Sequence, residues 1–231
     1  MTYEEALEWM FAQIPMYQRQ GKAAYKADLS TTETLDAYLN HPHQHFHSIH
    51  VGGTNGKGSV SNMLASVLQE AGYKTGLYTS PHLKDFRERI RVNGQMVEKE
   101  FVMDFIQQHS SYFQQQKPSF FEMTVVMAFE YFRHKQVDVA VVEVGLGGRL
   151  DSTNIIDPDL SVITNISLDH TQFLGDTVEE IAREKAGIIK AGKPVVIGEY
   201  DDRSAEIFKE KARSLQASIY FADQNYQIES Q

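Results

Sequence analysis

Ile49-His50-Val51-Gly52-Gly53-Thr54-Asn55-Gly56-Lys57-Gly58-Ser59 is the stretch on which the fold turns. A short apolar run enters a glycine-rich turn, a helical pattern over 59–71 follows and is ended by Gly72, and an apolar strand pattern returns at 75–79. That is a βαβ unit with a phosphate-binding loop at its first turn. Glycines let backbone N–H groups turn inward around phosphate oxygens, the helix N-terminus adds positive potential, and Lys57 reaches the terminal phosphates. Gly53, Thr54, Asn55, Gly56, Lys57, Gly58 and Ser59 are therefore the candidate nucleotide-binding residues. The loop departs from the GxxxxGK[ST] pattern at two places: Val51 stands where the first glycine belongs, and Gly58 stands where a hydroxyl normally helps to hold Mg²⁺. Either Ser59 or a residue from elsewhere must supply that ligand.

Outward from this unit the alternation continues. Helical patterns cover 98–108, 122–134, 178–186 and 203–215, and strand patterns cover 137–144, 160–166, 194–198 and 219–221. The nearly unbroken apolar run 137–144 reads as a strand covered on both faces. Together they predict an α/β fold of the phosphate-loop NTPase type, a mostly parallel doubly wound sheet flanked by helices, with ligands at the carboxyl ends of the strands. Upstream, Thr2 with Glu5 opens an amphipathic helix stopped near Pro15, and Ser30 with Glu33 suggests a second. Residues 41–50 hold five histidines. They read as a solvated loop leading into the strand at 48–51, with metal binding as the alternative, since no carboxylate or thiolate accompanies them in sequence.

Composition narrows the chemistry. With 22 Lys+Arg against 31 Asp+Glu, the 231 residues carry a formal charge of −9, which argues against duplex DNA or an anionic membrane as the main partner. The absence of cysteine removes disulfides, thiolate zinc sites, iron–sulfur clusters and a thiol nucleophile. No apolar run is long enough to span a membrane, and the acidic N-terminal segment is unlike a leader, so a cytoplasmic location is expected. Glu143, at the end of the buried run 137–144, would emerge in the ligand crevice, where a hard cation such as Mg²⁺ prefers oxygen ligands; pairing with an arginine or with the following glycine turn is the alternative.

Five strings occur in order: GTNGKGS at 53–59, SPHL at 80–83 with Phe86, Glu88, Arg89 and Ile90 behind it, EVGLGGRLDSTN at 143–154, LDHTQFLG at 168–175 and EKAGIIK at 184–190. This set resembles the folylpolyglutamate synthase/dihydrofolate synthase family of the Mur ligase superfamily. The resemblance implies that residues 1–231 are a Mur-ligase-like ATP-binding central domain, cut short, with the C-terminal glutamate-ligase domain absent. It implies ATP-dependent ligation of L-glutamate to dihydropteroate or folyl-(poly)glutamate through an acyl phosphate, in a largely monomeric parent. Lys57 would act on the ATP phosphates, Ser80 and Glu143 would hold the nucleotide Mg²⁺, and His170 would bind a second Mg²⁺. Lys185 resembles a lysine carbamylated in this superfamily, although a lysine in the last turn of a helix capped by Thr177 and Glu180 and ended by Gly187 equally suits the helix dipole. For the pterin side the resemblance points to Asp28 and Leu29 after Ala27, to Phe121 and Glu122, and to Leu150, Asp151 and Ser152. Tyr25 and Phe120 are candidate stacking rings, and residues 80–89 a candidate lid. Two other readings stay open: a phosphate-loop kinase or NTPase with a different acceptor, and a truncated nucleotide-binding module, suggested by an alternation that has not closed at Ser230-Gln231.

Overall fold

A computed structural model describes residues 1–12 and 28–226. Eight strands form one sheet in the order β4-β3-β2-β5-β1-β6-β7-β8. The strands are β1 (His47–Gly52), β2 (Thr75–Tyr78), β3 (Ile90–Val92), β4 (Gln95–Met96), β5 (Val139–Glu143), β6 (Leu160–Ile163), β7 (Val195–Ile197) and β8 (Ile219–Phe221). Pairing is parallel from β2 through β8, while β3 and β4 add an antiparallel hairpin at one edge. The expected doubly wound sheet is therefore present. The hairpin was not anticipated, because two strands of three and two residues carry too little period-2 signal to register.

The central strands show why both faces are covered. Along β5, Ala140 and Val142 point into a core shared with α4 (Lys99–Gln116) and α5 (Phe120–His134), whereas Val141 packs with Val51, Leu77 and Ala65 of α3 (Lys57–Glu70) on the other face. Alternate side chains of a pleated strand point to opposite faces, so a strand that meets helices on both has to be apolar throughout. On β6, Val162 turns to α3 and Ile163 to a third cluster with α7 (Val178–Lys185) and α8 (Asp202–Ser214). Among the described residues, no helix is long and apolar enough to cross a membrane.

Local signals mostly hold. Thr2 and Glu5 exchange capping bonds at the start of α1 (Tyr3–Ala12), as do Ser119 and Glu122 for α5 and Thr177 and Glu180 for α7. At α2 (Ser30–Tyr38) the Ser30–Glu33 box is not formed. Asp28 instead accepts from the Ser30 amide and hydroxyl. Pro15, Tyr25 and Ala27 lie outside the described residues.

Candidate active site

The glycine loop leaves the carboxyl end of β1, between β5 and β6, and α3 begins at Lys57, two residues earlier than the periodicity suggested. Two glycines are needed for different reasons. Gly56 caps the helix at φ 80°, in the left-handed region. Gly53, at φ 137°, runs so close to the neighbouring strand end that a Cβ would lie 1.9 Å from Thr164 Oγ1. The loop is braced by the segment after β6. Thr54 N–H donates to the Asn165 carbonyl at 2.9 Å, Asn55 N–H to Asn165 Oδ1 at 3.0 Å, and Ser167 N–H to Thr54 Oγ1 at 3.1 Å. Sequence reading missed Thr164, Asn165 and Ser167. Thr164 and Asn165 fall inside the strand pattern 160–166, which stops at Ile163 in the structure; their one signal was the polar pair that breaks that apolar run. Lys57 Nζ folds back onto the Thr54 carbonyl at 3.0 Å, and Ser59 is exposed on the first turn of α3.

Glu143 and Ser80 meet beside this loop. Ser80 N–H donates to Glu143 Oε2 at 3.1 Å, and a Cβ on Gly58 would stand 3.7 Å from both Glu143 carboxylate oxygens. Gly58 thus places the first turn of α3 directly against the carboxylate. Glu143 is buried, which raises its pKa above the ordinary carboxylate value, against the Ser80 amide and the nearby Lys57 cation. A buried carboxylate beside a serine is a hard oxygen donor set suited to Mg²⁺.

Lys185 completes the site from the far side of the chain. Its side chain is 4% exposed, and Nζ donates to the Gly53 carbonyl at 2.7 Å. Burial, then the Lys57 cation, pushes its pKa down to about 8. Gly148 and Gly187 make this position possible. A Cβ on Gly148 would lie 2.8 Å from the Glu184 carbonyl, and one on Gly187 would lie 2.4 Å from Arg149 Cβ. α7 ends just before Gly187, as expected, and a 3₁₀ turn over Ala186–Ile188 follows; the glycine also serves close approach of the 145–154 loop. Arg149 pairs with Glu184 at 2.8 Å, and Asn154 Nδ2 donates to both the Arg149 and Gly187 carbonyls.

Asp151 is buried in that loop. Its carboxylate accepts from the amides of Gly145, Leu146 and Thr153 and from the Thr153 hydroxyl, which in turn meets His50 Nε2 at 2.8 Å. It organises the loop that follows Glu143. Ser152 is buried beside it and Leu150 is half-buried. Phe121 fills the space over Gly145, where a Cβ would meet its ring at 2.3 Å, while Glu122 is buried in the cap of α5. Phe120 stacks on Phe11 at 5.1 Å and lies under the Arg89 guanidinium. Asp28 is exposed and Leu29 half-buried at the start of α2. His170, at the start of α6 (Thr171–Leu174), is exposed and faces Asp169 at 3.6 Å. Asp169 acts electrostatically on Lys185, so the loop that carries His170 lies beside the site. The turn expected as a lid is anchored: Glu88 accepts from the amides of Leu83, Lys84 and Asp85, and Phe86 is buried, with Leu83 protruding at the tip.

A phosphate loop at the carboxyl end of a central parallel strand, with a buried carboxylate beside it, defines a nucleotide-binding α/β domain. The Mur ligase middle domain matches residues 51–230, and the chain belongs to that family. It is similar to the dihydrofolate synthase/folylpolyglutamate synthase of Bacillus subtilis, with 41% identity over 219 residues, covering 91% of this chain and 49% of the relative. It is also similar to the folylpolyglutamate synthase of Lacticaseibacillus casei, at 41% over 202 residues, covering 84% of this chain and 47% of the relative. Among solved structures, a folylpolyglutamate synthase from Thermotoga maritima superposes with a TM-score of 0.85 at 38% identity, covering 95% of this chain and 49% of that one. An FPGS–AMPPCP–folate complex gives 0.88 at 38% identity, covering 96% of this chain and 54% of that one. The chain spans about half the length of these relatives.

Proposed function

We propose that this chain is the ATP-binding portion of a ligase that joins L-glutamate to dihydropteroate or to folyl-(poly)glutamate through an acyl phosphate. The observation that carries the reading is the convergence of three distant segments, with Lys57 and Lys185 both bonded to carbonyls of the glycine loop and Glu143 against its first helical turn. Similarity to a protein solved with AMPPCP and folate supports both substrate classes.

In this reading the loop amides from Gly53 to Ser59 hold the ATP phosphates, and Lys57 leaves the Thr54 carbonyl to meet the transferring group. Positioning and charge neutralisation then carry most of the catalysis. Ser80 and Glu143 would hold a nucleotide Mg²⁺, which when bound neutralises phosphate charge. His170 is assigned to a second Mg²⁺, a role that requires its loop to turn inward. Lys185, with its pKa near 8, holds enough free amine at neutral pH to add CO₂, and the carbamate would offer an oxygen ligand in place of an ammonium that repels the metal. Phe121 and the 150–152 segment flank the acceptor side. Residues 1–231 are taken as one central domain, working in the cytoplasm as part of a monomer, with small molecules as partners and neither nucleic acid nor membrane.

The test is equilibrium binding of ATP with Mg²⁺ to this chain beside Lys57→Ala, followed by addition of pteroate or folate and glutamate. Binding lost in the variant and glutamate-dependent ADP release support the ligase. Equal binding by both proteins would refute the loop assignment, and ADP release indifferent to glutamate would favour a kinase or NTPase.

A further inference from the structure

The histidine run before β1 finds in space what it lacks in sequence. Asp36, near the end of α2, is 3% exposed, and its two carboxylate oxygens each meet one imidazole: Oδ2 to His41 Nδ1 at 2.7 Å and Oδ1 to His43 Nδ1 at 2.7 Å. The backbone builds this arrangement. Asn40 and His41 both adopt left-handed φ values, and His41 N–H donates to the Asp36 carbonyl at 2.8 Å, so the chain doubles back over the carboxylate. Among the described residues this is the one group of three such side chains whose ligand atoms all lie within 4.8 Å of one another.

We propose that Asp36, His41 and His43 form a binding site for a borderline divalent transition ion of the zinc class, separate from the nucleotide site. Two imidazoles and one carboxylate suit zinc, cobalt or nickel and disfavour Mg²⁺, which takes oxygen ligands. The geometry is close to what such an ion needs. With metal–ligand distances of about 2.0–2.2 Å, tetrahedral donors stand roughly 3.3 Å apart, so each Nδ1–oxygen contact has to open by about half an ångström. An imidazole ligates through an unprotonated nitrogen, so each ring would bind as the tautomer whose proton sits on Nε2. His41 has a half-exposed side chain that can make the adjustment, while Asp36 is held by burial and His43 is only partly exposed. His43 also lines an open cleft of about 710 Å³ with His45, His47, Asp138, Asp157 and Asp159, which gives an ion a polar approach. Arg133 reaches the same turn at the Leu39 carbonyl, but its charge is paired with Glu130. The site lies before the amino end of β1 and the glycine loop follows its carboxyl end, so the six-residue strand, roughly 20 Å long, separates them.

The experiment is Zn²⁺ titration of the tag-free chain in millimolar Mg²⁺, read by calorimetry and by thermal melting. One ion per chain and a raised melting temperature are expected, since a ligand that binds only the folded state stabilises it. His41→Ala, which removes a half-exposed ring, and Asp36→Asn should each weaken binding by at least about tenfold. His47→Ala with Asp159→Asn, which dismantles the neighbouring surface pair, should leave it unchanged. Absence of one-site binding overturns the proposal. So does binding that survives His41→Ala, that is lost in the His47/Asp159 variant, or that Mg²⁺ abolishes by competition.

Discussion

Replacing Lys185 by methionine should change how stability depends on pH, by an amount that the structure sets. The lysine pKa is displaced from 10.5 to about 8, chiefly by burial, which corresponds to about 3 kcal/mol between its two protonation states. Below pH 8 both the folded and the unfolded chain hold the proton, and the folded state carries a buried cation. Between pH 8 and 10.5 the folded lysine is neutral while the unfolded one remains charged. The unfolded state then binds more protons, so stability rises with pH across that window and levels off above it. Lys185→Met keeps the aliphatic volume and has no titrating group. The difference in unfolding free energy between wild type and variant should therefore move in favour of wild type by about 3 kcal/mol from pH 8 to 10.5. Urea unfolding of both proteins at several pH values in bicarbonate-free buffer measures it, because groups that do not interact with Lys185 cancel in the difference. Parallel curves, within about 0.5 kcal/mol, would refute the claim that Lys185 is a buried amine of lowered pKa.

Two further outcomes follow from neighbouring geometry. Gly56→Ala places a methyl in open space at φ 80° and should cost about 1–2 kcal/mol, whereas Gly53→Ala drives its Cβ onto Thr164 and should be clearly worse and abolish ATP retention; thermal melts that rank the two in the opposite order would sink the account of the loop. His50, fully buried, has its pKa lowered from 6.5 to about 3 by burial, so stability is retained above pH 6.5 and declines as pH falls toward 3; His50→Asn should flatten that acid limb in unfolding experiments, and an unchanged limb would place the acid sensitivity elsewhere.

The histidine run and the glycine at position 187 show what reading by spacing leaves out. Gly187 looks like a helix stop because a glycine after a capped helix usually is one. The α-helix does end just before it, at Lys185, and the glycine has a second reason, Arg149, which lies 38 positions earlier in the chain and leaves no room for a Cβ. The histidines read as a solvated loop, with metal binding as the alternative, because no acid stands among them in sequence; His41 is exposed as expected, while Asp36 of α2 reaches both His41 and His43. Both omissions have one source: spacing reports neighbours along an element, and says nothing of what another element brings alongside.

The parallel sheet, the phosphate loop at its centre and the motifs that mark the family are legible in the order of residues alone. These rest on local properties, the period-2 and period-3.6 recurrence of apolar residues and the special backbone of glycine, which act within a few positions of one another. That Thr164 and Asn165 brace the loop, that Glu143 lies against Gly58, and that Lys185 is buried against the Gly53 carbonyl emerge from the packing of distant segments. The lowered pKa of Lys185 belongs to that second group, because desolvation depends on everything packed around the amine, including a loop some forty residues before it and a turn more than a hundred residues before it.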